Sequence, residues 1–311
     1  MKINQNIKVF APATVANVAC GFDLLGLAIN GLGDEIVVKV TDQKGLRISK
    51  ITGDNGLLPK EIHKNTAGIA AQAVLDHLGV DIGIDLEIRK KMPFGTGLGS
   101  SAASAVAGVM AINEVLNRPL TKKELLPFAM LGEQGADGAY HADNVAPSLL
   151  GGIIMCRENA TLDVHRLYAP KGLYVAVVMA DVQVLTKDSR GVLSENVTLK
   201  QHIAQSGNLA GLIIGLTNSD FGLIGRSLKD VIIEPQRAKL IPNFYEVKET
   251  AIKEGALGCS ISGAGPSIFA LCENSLIANR VGAAMQAVYR NQNINSKLYI
   301  STINLEGAKR C

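Results

Sequence analysis

Apolar and polar residues alternate at Ile84, Leu86 and Ile88, and this two-residue period predicts a strand with one buried face. The pattern breaks at Arg89, Lys90 and Lys91, and Pro93-Phe94-Gly95-Thr96-Gly97-Leu98-Gly99-Ser100-Ser101 then opens onto a run of small residues ending near Leu116. Ala102, Ala103, Ala105, Ala107 and Ala111 predict a helix with so little bulk at its start that a ligand can approach the backbone closely. Upstream, Ile7 to Phe10 reads as a strand stopping at Ala11-Pro12, and Ile36, Val38 and Val40 as a half-exposed one. Asn65 or Thr66 caps a helix carrying Ile69, Ala73 and Val74, closed by Gly79. Thr121 with Glu124 forms a capping box for a further helix holding Leu125 and Phe128, which brings Glu133 near its C-terminal end. Ser148 to Met155 reads as a glycine-softened strand.

The apolar pattern thins between Glu158 and Pro170, which suggests two domains, residues 1–165 and 166–311. In the second half Tyr174 to Met179 is a buried strand, and Leu209, Leu212, Ile213 and Leu216 mark a helix. Val247, Ala251 and Ile252 mark another after an Asn243/Glu246 cap pair, and Ala278 to Tyr289 a third. With strands at Ile268 to Leu271 and Lys297 to Ile303, the order β-α-α-β-α-β suggests a small split βαβ-type domain.

A glycine-rich turn feeding a helix N-terminus points several N–H groups at one place, where the helix dipole adds positive charge, and so suits phosphate. The spacing fits neither G-x-x-x-x-G-K-[ST] nor G-x-G-x-x-G, and such a turn is also compatible with a purely structural role. Ser100 and Ser101 point toward phosphate and metal, or toward an N-cap. Arg89, Lys90 and Lys91 read as a solvated strand end that could help attract a polyphosphate. Between residues 13 and 23, Thr14, Asn17 and Asp23 stand among small and apolar residues, as pocket lining or as turn formers.

Residues 135–147 are dense in polar groups, but His141 and Asp143, two apart, suit neither a helix-borne zinc pair nor H-E-x-x-H. A polar cluster from Leu185 to Arg190 follows a strand edge. A second glycine stretch, Ser260-Ile261-Ser262-Gly263-Ala264-Gly265-Pro266-Ser267, is a turn that could lie against the first loop and lend it backbone N–H groups.

The chain has 311 residues, 47% of them hydrophobic, enough for two compact domains. Thirty-one Lys and Arg against 28 acidic residues, with no basic block interleaved with aromatics and no Trp, argue against a nucleic-acid surface. The apolar run near Val106 to Ile112 is too short and glycine-broken to span a membrane, and the N-terminus does not read as a leader. Five cysteines without metal-binding spacing look like the reduced thiols of a cytoplasmic protein.

Three separated motifs, Ala11-Pro12-Ala13-Thr14-Val15-Ala16-Asn17 with Gly21-Phe22-Asp23, Pro93 through Ser101, and Ser262 through Ser267, resemble the GHMP small-molecule kinase superfamily. With His141-Ala142-Asp143-Asn144-Val145-Ala146-Pro147, Arg190 and Glu234-Pro235-Gln236-Arg237, the chain resembles the homoserine kinase family within it. The resemblance implies an α+β fold with a ribosomal-protein-S5-like N-terminal domain and a ferredoxin-like C-terminal domain. It also implies ATP-dependent phosphorylation of the side-chain hydroxyl of L-homoserine in threonine biosynthesis, with Mg2+, and usually a homodimer.

Carried onto this sequence, Asn65, Pro93, Gly95, Gly97, Leu98, Gly99, Ser100 and Ser101 would bind the nucleotide, and Ser101 and Glu133 the metal. Asn17, Asp23, His141, Asn144, Arg190, Arg237 and Gly263 would bind the amino acid, the arginines taking its carboxylate as planar forks. Asn17, Ser101, Glu133 and Asn144 would act at the reacting groups, and Lys187 is a further candidate. Asp137-Gly138-Ala139-Tyr140 departs from the family's small Ser-Gly-Ser before the histidine, which bears on substrate range. A mevalonate- or sugar-type kinase, or a non-catalytic binding module of the same fold, are the competing readings.

Overall fold

The computed structural model describes residues 4–311 except 139, 183 and 185, and the side chains of residues 136, 137, 186 and 187 also fall outside the description. The expectations for Asp137 and Lys187 therefore lie outside the described residues. In chain order the first half runs β1 (Ile7–Ala16), β2 (Leu25–Thr41), β3 (Gly45–Thr52), α1 (Thr66–Leu78), β4 (Gly83–Arg89), α2 (Ser100–Val115), α3 (Lys122–Asp137), α4 (Ala142–Leu150), β5 (Ile153–Glu158) and β6 (Asp163–Leu167). The second runs β7 (Tyr174–Ala180), α5 (Thr186–Gly191), α6 (Leu199–Asn218), α7 (Phe221–Ser227), α8 (Glu234–Arg237), α9 (Phe244–Lys253), β8 (Gly258–Ile261), β9 (Ile268–Cys272), α10 (Ser275–Asn291), β10 (Ser296–Thr302) and β11 (Lys309–Arg310).

The larger sheet has the order β11-β1-β2-β4-β3, with β5 paired to β2 and β6 to β5. Ile36 and Val38 of β2 lie opposite Ile88 and Leu86 of β4, so the alternating residues of both strands form one buried face. Helix α2 packs on β1 and β2 and is flanked by α1, α3 and α4. It is buried on almost every side, which is why its small residues show so weak an amphipathic pattern. A Cβ on its Gly108 would stand 2.5 Å from the Ala67 carbonyl oxygen, so α1 and α2 approach backbone to backbone.

Local signals hold where they are strongest. Asn65 Oδ1 accepts the Ala67 and Gly68 amides at 3.1 and 3.3 Å, Gly79 ends α1 in the left-handed region, and Thr121 and Glu124 close the capping box of α3. The second half forms a four-stranded antiparallel sheet in the order β10-β7-β9-β8, the ferredoxin-like βαββαβ arrangement.

The structure departs from the sequence reading at several places. β1 continues through Ala13 to Ala16, because Ala13 and Val15 are buried and the strand pairs on to Gly26 after a register shift. Of the strand expected over Ser148 to Met155 only the end from Ile153 is extended, in β5; residues 148–150 close the helix α4, which buries Ala142, Val145, Ala146 and Leu149. The four-residue β8 has too few positions to show a period. Asn243 precedes α9 in the left-handed region and makes no capping bond to its amides, its side chain instead reaching Glu246 Oε2. The division at 165/166 falls inside β6, which pairs in the first sheet, and β11 returns to β1 of that sheet. Among the described residues no helix is long and apolar enough to cross a membrane.

Candidate active site

A cavity of about 330 Å³ lies between the two halves. At one end β1 gives way to a turn in which Asn17, Val18 and Ala19 have φ of 71°, 41° and 61°. Asn17 Oδ1 accepts the Asp23 amide at 3.2 Å and stabilises the turn, and both residues also line the cavity, whereas Thr14 is fully buried behind it. The Asp23 carboxylate faces Arg190 in a two-pronged pair at 3.0 and 3.2 Å, with His141 Nδ1 at 3.5 Å from Oδ2. The Phe22 ring lies under both guanidinium groups, 5.7 Å from Arg190 and 5.0 Å from Arg237.

Arg237, at the end of the short α8, donates to the Ser189 carbonyl at 3.1 Å and to the Gly263 carbonyl at 3.0 Å. Asn17 Nδ2 donates to that same Gly263 oxygen at 3.1 Å. Burial and the neighbouring Arg190 draw the Arg237 guanidinium down to about 10. On α4, burial and the nearby Asp23 push the Asp143 carboxyl up to about 7. Asn144 is fixed by Thr14, whose hydroxyl donates to Asn144 Oδ1 at 2.6 Å.

At the other end Gly95, Gly97 and Gly99 all have positive φ, and Gly99 rather than either serine is the N-cap of α2. A Cβ on Gly97 would lie 2.2 Å from the Ser262 carbonyl oxygen, and one on Gly99 2.2 Å from Thr14 Oγ1. The second glycine stretch does lie against the first loop. Ser262 Oγ donates to the Gly97 carbonyl at 2.6 Å and the Ser267 amide to the Thr96 carbonyl at 3.2 Å. It buttresses the loop and lends it the Ser267 amide, while the Gly263 and Gly265 amides are spent on the Ala16 and Ser262 carbonyls.

Ser101 Oγ donates to Glu133 Oε1 at 2.8 Å, joining the first turn of α2 to the end of α3. Ser100 Oγ is buried in the cavity wall and makes no hydrogen bond among the described residues. That hydroxyl, the positive end of α2 and the bare left-handed glycines fit an anionic ligand that would complete them.

Asn17, Asp23, Asn65, Gly95, Gly97, Gly99, Ser100, Ser101, Glu133, His141, Asn144, Arg190, Arg237 and Gly263 all line this one cavity. Pro93 and Leu98 do not. The Pro93 carbonyl accepts from Thr96 Oγ1, while Leu98 is fully buried and its carbonyl accepts the Thr14 amide. Asn65 reaches the cavity wall, but its side chain is spent on capping α1 and on the Pro59 carbonyl.

Sequence reasoning placed Lys90 at a solvated strand end, and the structure corrects this. Lys90 is buried, paired with the equally buried Asp34, and donates to the Ser100 carbonyl at 2.9 Å and Ser104 Oγ at 2.8 Å. Burial pushes its ammonium below the ordinary lysine range, and the Asp34 carboxylate opposes that fall. Asp34 itself was missed. It lies in the middle of β2, 56 residues before Lys90, and no local pattern links the two. Asp143 was seen as part of a polar run, but its titration is set by burial and by Asp23 and is invisible without the fold.

Residues 65–152 match the description of the GHMP kinases N terminal domain and residues 212–291 that of the GHMP kinases C terminal. Among curated relatives, the homoserine kinase of Chlorobium phaeobacteroides is 44% identical over 98% of this chain and 99% of the relative. That of Xanthomonas campestris is 38% identical over 98% and 94%. Among solved structures, homoserine kinase from Cytophaga hutchinsonii superposes with a TM-score of 0.98 at 51% identity, covering 100% of this chain and 99% of that one. Mevalonate kinase from L. major, solved with R-mevalonate, superposes with a TM-score of 0.71 at 19% identity, over 95% and 96% of the two chains, and shares the fold.

Proposed function

The chain belongs to the homoserine kinases of the GHMP kinase family, and from that premise we propose how its cavity performs the family's reaction. The enzyme uses ATP to phosphorylate the side-chain hydroxyl of homoserine, a step of threonine biosynthesis. The observation that carries the division of labour is the opposition of a glycine-lined helix N-terminus and a carboxylate–arginine cluster across one cavity. The first suits a polyphosphate, the second an amino acid.

Homoserine carries a carboxylate and an ammonium, the same two charges that Arg190 and Asp23 present to each other. Entry of the zwitterion exchanges one ion pair for two. In this reading Arg190 and Arg237 take its carboxylate and Asp23 its amine, while Asn17 and Asn144 orient the hydroxyl. Among the described residues, Asp23, Glu133 and Asp143 are the carboxylates lining the cavity. Asp23 is engaged by Arg190, Glu133 stands at the phosphate end, and Asp143 is buried near Asp23 with its carboxyl pushed up to about 7; in this reading, as the family resemblance implies, charge stabilisation rather than a dedicated base carries the rate, with the hydroxyl proton leaving late.

Ser101 and Glu133 offer a hydroxyl and a carboxylate, the hard oxygen donors that suit Mg2+. Among the described residues no group of three or more His, Cys, Asp or Glu is placed to hold a metal, so these two would share it with phosphate oxygens and water. Mg2+ bound there supplies neutralisation of phosphate charge. We extend the reading to a homodimer in the cytoplasm. Four buried free cysteines, Cys20, Cys156, Cys259 and Cys272, support a reducing compartment. We place the domain division after β6, between Leu167 and Tyr174.

The test is coupled ADP release with homoserine, mevalonate, galactose and shikimate, with and without Mg2+, on the wild type and on Ser101→Ala and Glu133→Gln. Turnover with homoserine alone, and a kcat loss of about 100-fold in the variants at nearly unchanged homoserine KM, is expected. Turnover with another alcohol in preference to homoserine, or variants that retain wild-type kcat, would overturn the reading.

A further inference from the structure

The two halves of the amino-acid end are tied by a side chain that touches neither cavity nor substrate position. Gln205, on the inner face of α6, donates from Nε2 to the Cys20 carbonyl at 3.1 Å and to Asp230 Oδ1 at 3.0 Å, and its Oε1 accepts the Val231 amide at 2.9 Å. Cys20 belongs to the turn that carries Phe22 and Asp23. Asp230 is buried and organises the approach to α8. Its Oδ1 accepts the Ile232 and Ile233 amides at 2.9 Å each, and its Oδ2 accepts the Glu234 amide at 2.8 Å. Helix α8 has no side-chain N-cap of its own, so this one carboxylate satisfies amides that would otherwise be orphaned at its start. Three residues on stands Arg237.

We infer that Gln205 and Asp230 are positioning residues that set the distance between the Asp23 turn and Arg237, and through it the affinity for homoserine. This rests on the reading that Asp23 and Arg237 hold the amino acid. A four-residue helix has little rigidity of its own. Its orientation comes from what grips its ends. At the C-terminal end the grip is Arg237 itself, bonded to the Ser189 and Gly263 carbonyls. At the N-terminal end it is Asp230, and Gln205 is the side chain that carries that anchor across to Cys20. A shift of about 1 Å in a fork that must meet a carboxylate with two hydrogen bonds is enough to lose one of them. The phosphate end meets this chain of contacts at the Ser262-Gly263 turn that Arg237 also grips, but it has a clasp of its own through Asp34, Lys90 and Ser100, which Gln205 and Asp230 do not touch.

The experiment compares steady-state kinetics of the wild type, Gln205→Met, Asp230→Asn and Arg237→Met with homoserine and ATP varied separately, alongside thermal unfolding. Gln205→Met keeps the volume and removes the three bonds. It is expected to raise the homoserine KM about ten-fold, ~1.4 kcal/mol, with ATP KM unchanged. Asp230→Asn moves the same way. A Tm drop with both KM values unchanged, or equal rises in both, would overturn the inference. If Arg237→Met raises the homoserine KM and Gln205→Met does not, the positioning role falls while the site reading stands. If the wild type fails to turn over homoserine, the functional reading itself has failed.

Discussion

Replacing Asp34 by Asn tests whether the phosphate loop is clasped by a buried charge pair. Asp34 Oδ1 accepts the Lys91 and Met92 amides at 2.9 and 3.2 Å, its Oδ2 pairs with Lys90, and Lys90 in turn holds the Ser100 carbonyl. The carboxylate therefore fixes the entry to the loop directly and its exit through Lys90. The side chains of Lys90 and Asp34 are 1% and 0% exposed, so water cannot replace a lost partner. Breaking a buried pair by neutralising one member costs ~3–5 kcal/mol. An Asn retains one oxygen for the two amides, each worth ~1 kcal/mol, which places the variant near the lower end of that range. Denaturant unfolding should show a fall of about 3 kcal/mol at neutral pH.

The sign with pH is fixed by Lys90. Its folded pKa is already lowered by burial and falls further without Asp34. Between that value and the unfolded one the unfolded chain binds the extra proton, so the variant gains stability as pH rises toward ~10. Asp34→Asn with Lys90→Met should be more stable than Asp34→Asn alone, because no charge is then left buried. A single-variant loss under about 1 kcal/mol, or a double variant no better than the single, would refute the clasp.

Two further outcomes follow from the same geometry. Gly97→Ala adds a Cβ to a residue at φ 73° and drives it to 2.2 Å from the Ser262 carbonyl oxygen, so the loop and its buttress must separate. ATP KM should rise by ten-fold or more, with homoserine KM less affected, and a variant with wild-type ATP kinetics would show that the loop does not hold the nucleotide. Asp143 is raised in the fold to about 7 from the ordinary 3.8. The folded state therefore binds the extra proton, and the stability this lends is full below about pH 4 and lost as pH climbs through 7. The span is on the order of 4 kcal/mol. In denaturation from pH 4.5 to 8, Asp143→Asn should flatten the decline, and an unchanged slope would show that Asp143 is ionised throughout.

What could be read from the sequence was whatever is settled within a few residues. The Asn65 and Thr121 caps, the Gly79 stop and the alternation about Leu86 each act through one turn or one pleat, and each forms where expected. The glycine spacing at 95, 97 and 99 was legible for the same reason, since a positive φ leaves its mark on the residue that adopts it. The resemblance then drew distant motifs into one site, and the cavity brings most of them together.

The reading failed where partners are far apart in the chain. Lys90 sits in Arg89-Lys90-Lys91, three cations in a row, and composition alone makes them a solvated end. In the fold, the in-and-out alternation of β4 carries on past its end at Arg89 and separates the three. Arg89 pairs with Glu87 and Lys91 with Glu35 near the surface, while Lys90 turns into the protein to meet Asp34. Asp34 likewise stands between Gly33 and Glu35, in a stretch whose charge suggests exposure. Neither residue is tolerable inside without the other, so each reads alone as surface and only the pair reads as core. The same holds for Gln205 and Asp230, whose importance is a matter of which amides and carbonyls they reach. A site assembled from two domains hides its supports in this way, because groups that contact ligand are constrained in type and recur as motifs, whereas the groups that position them need only meet each other.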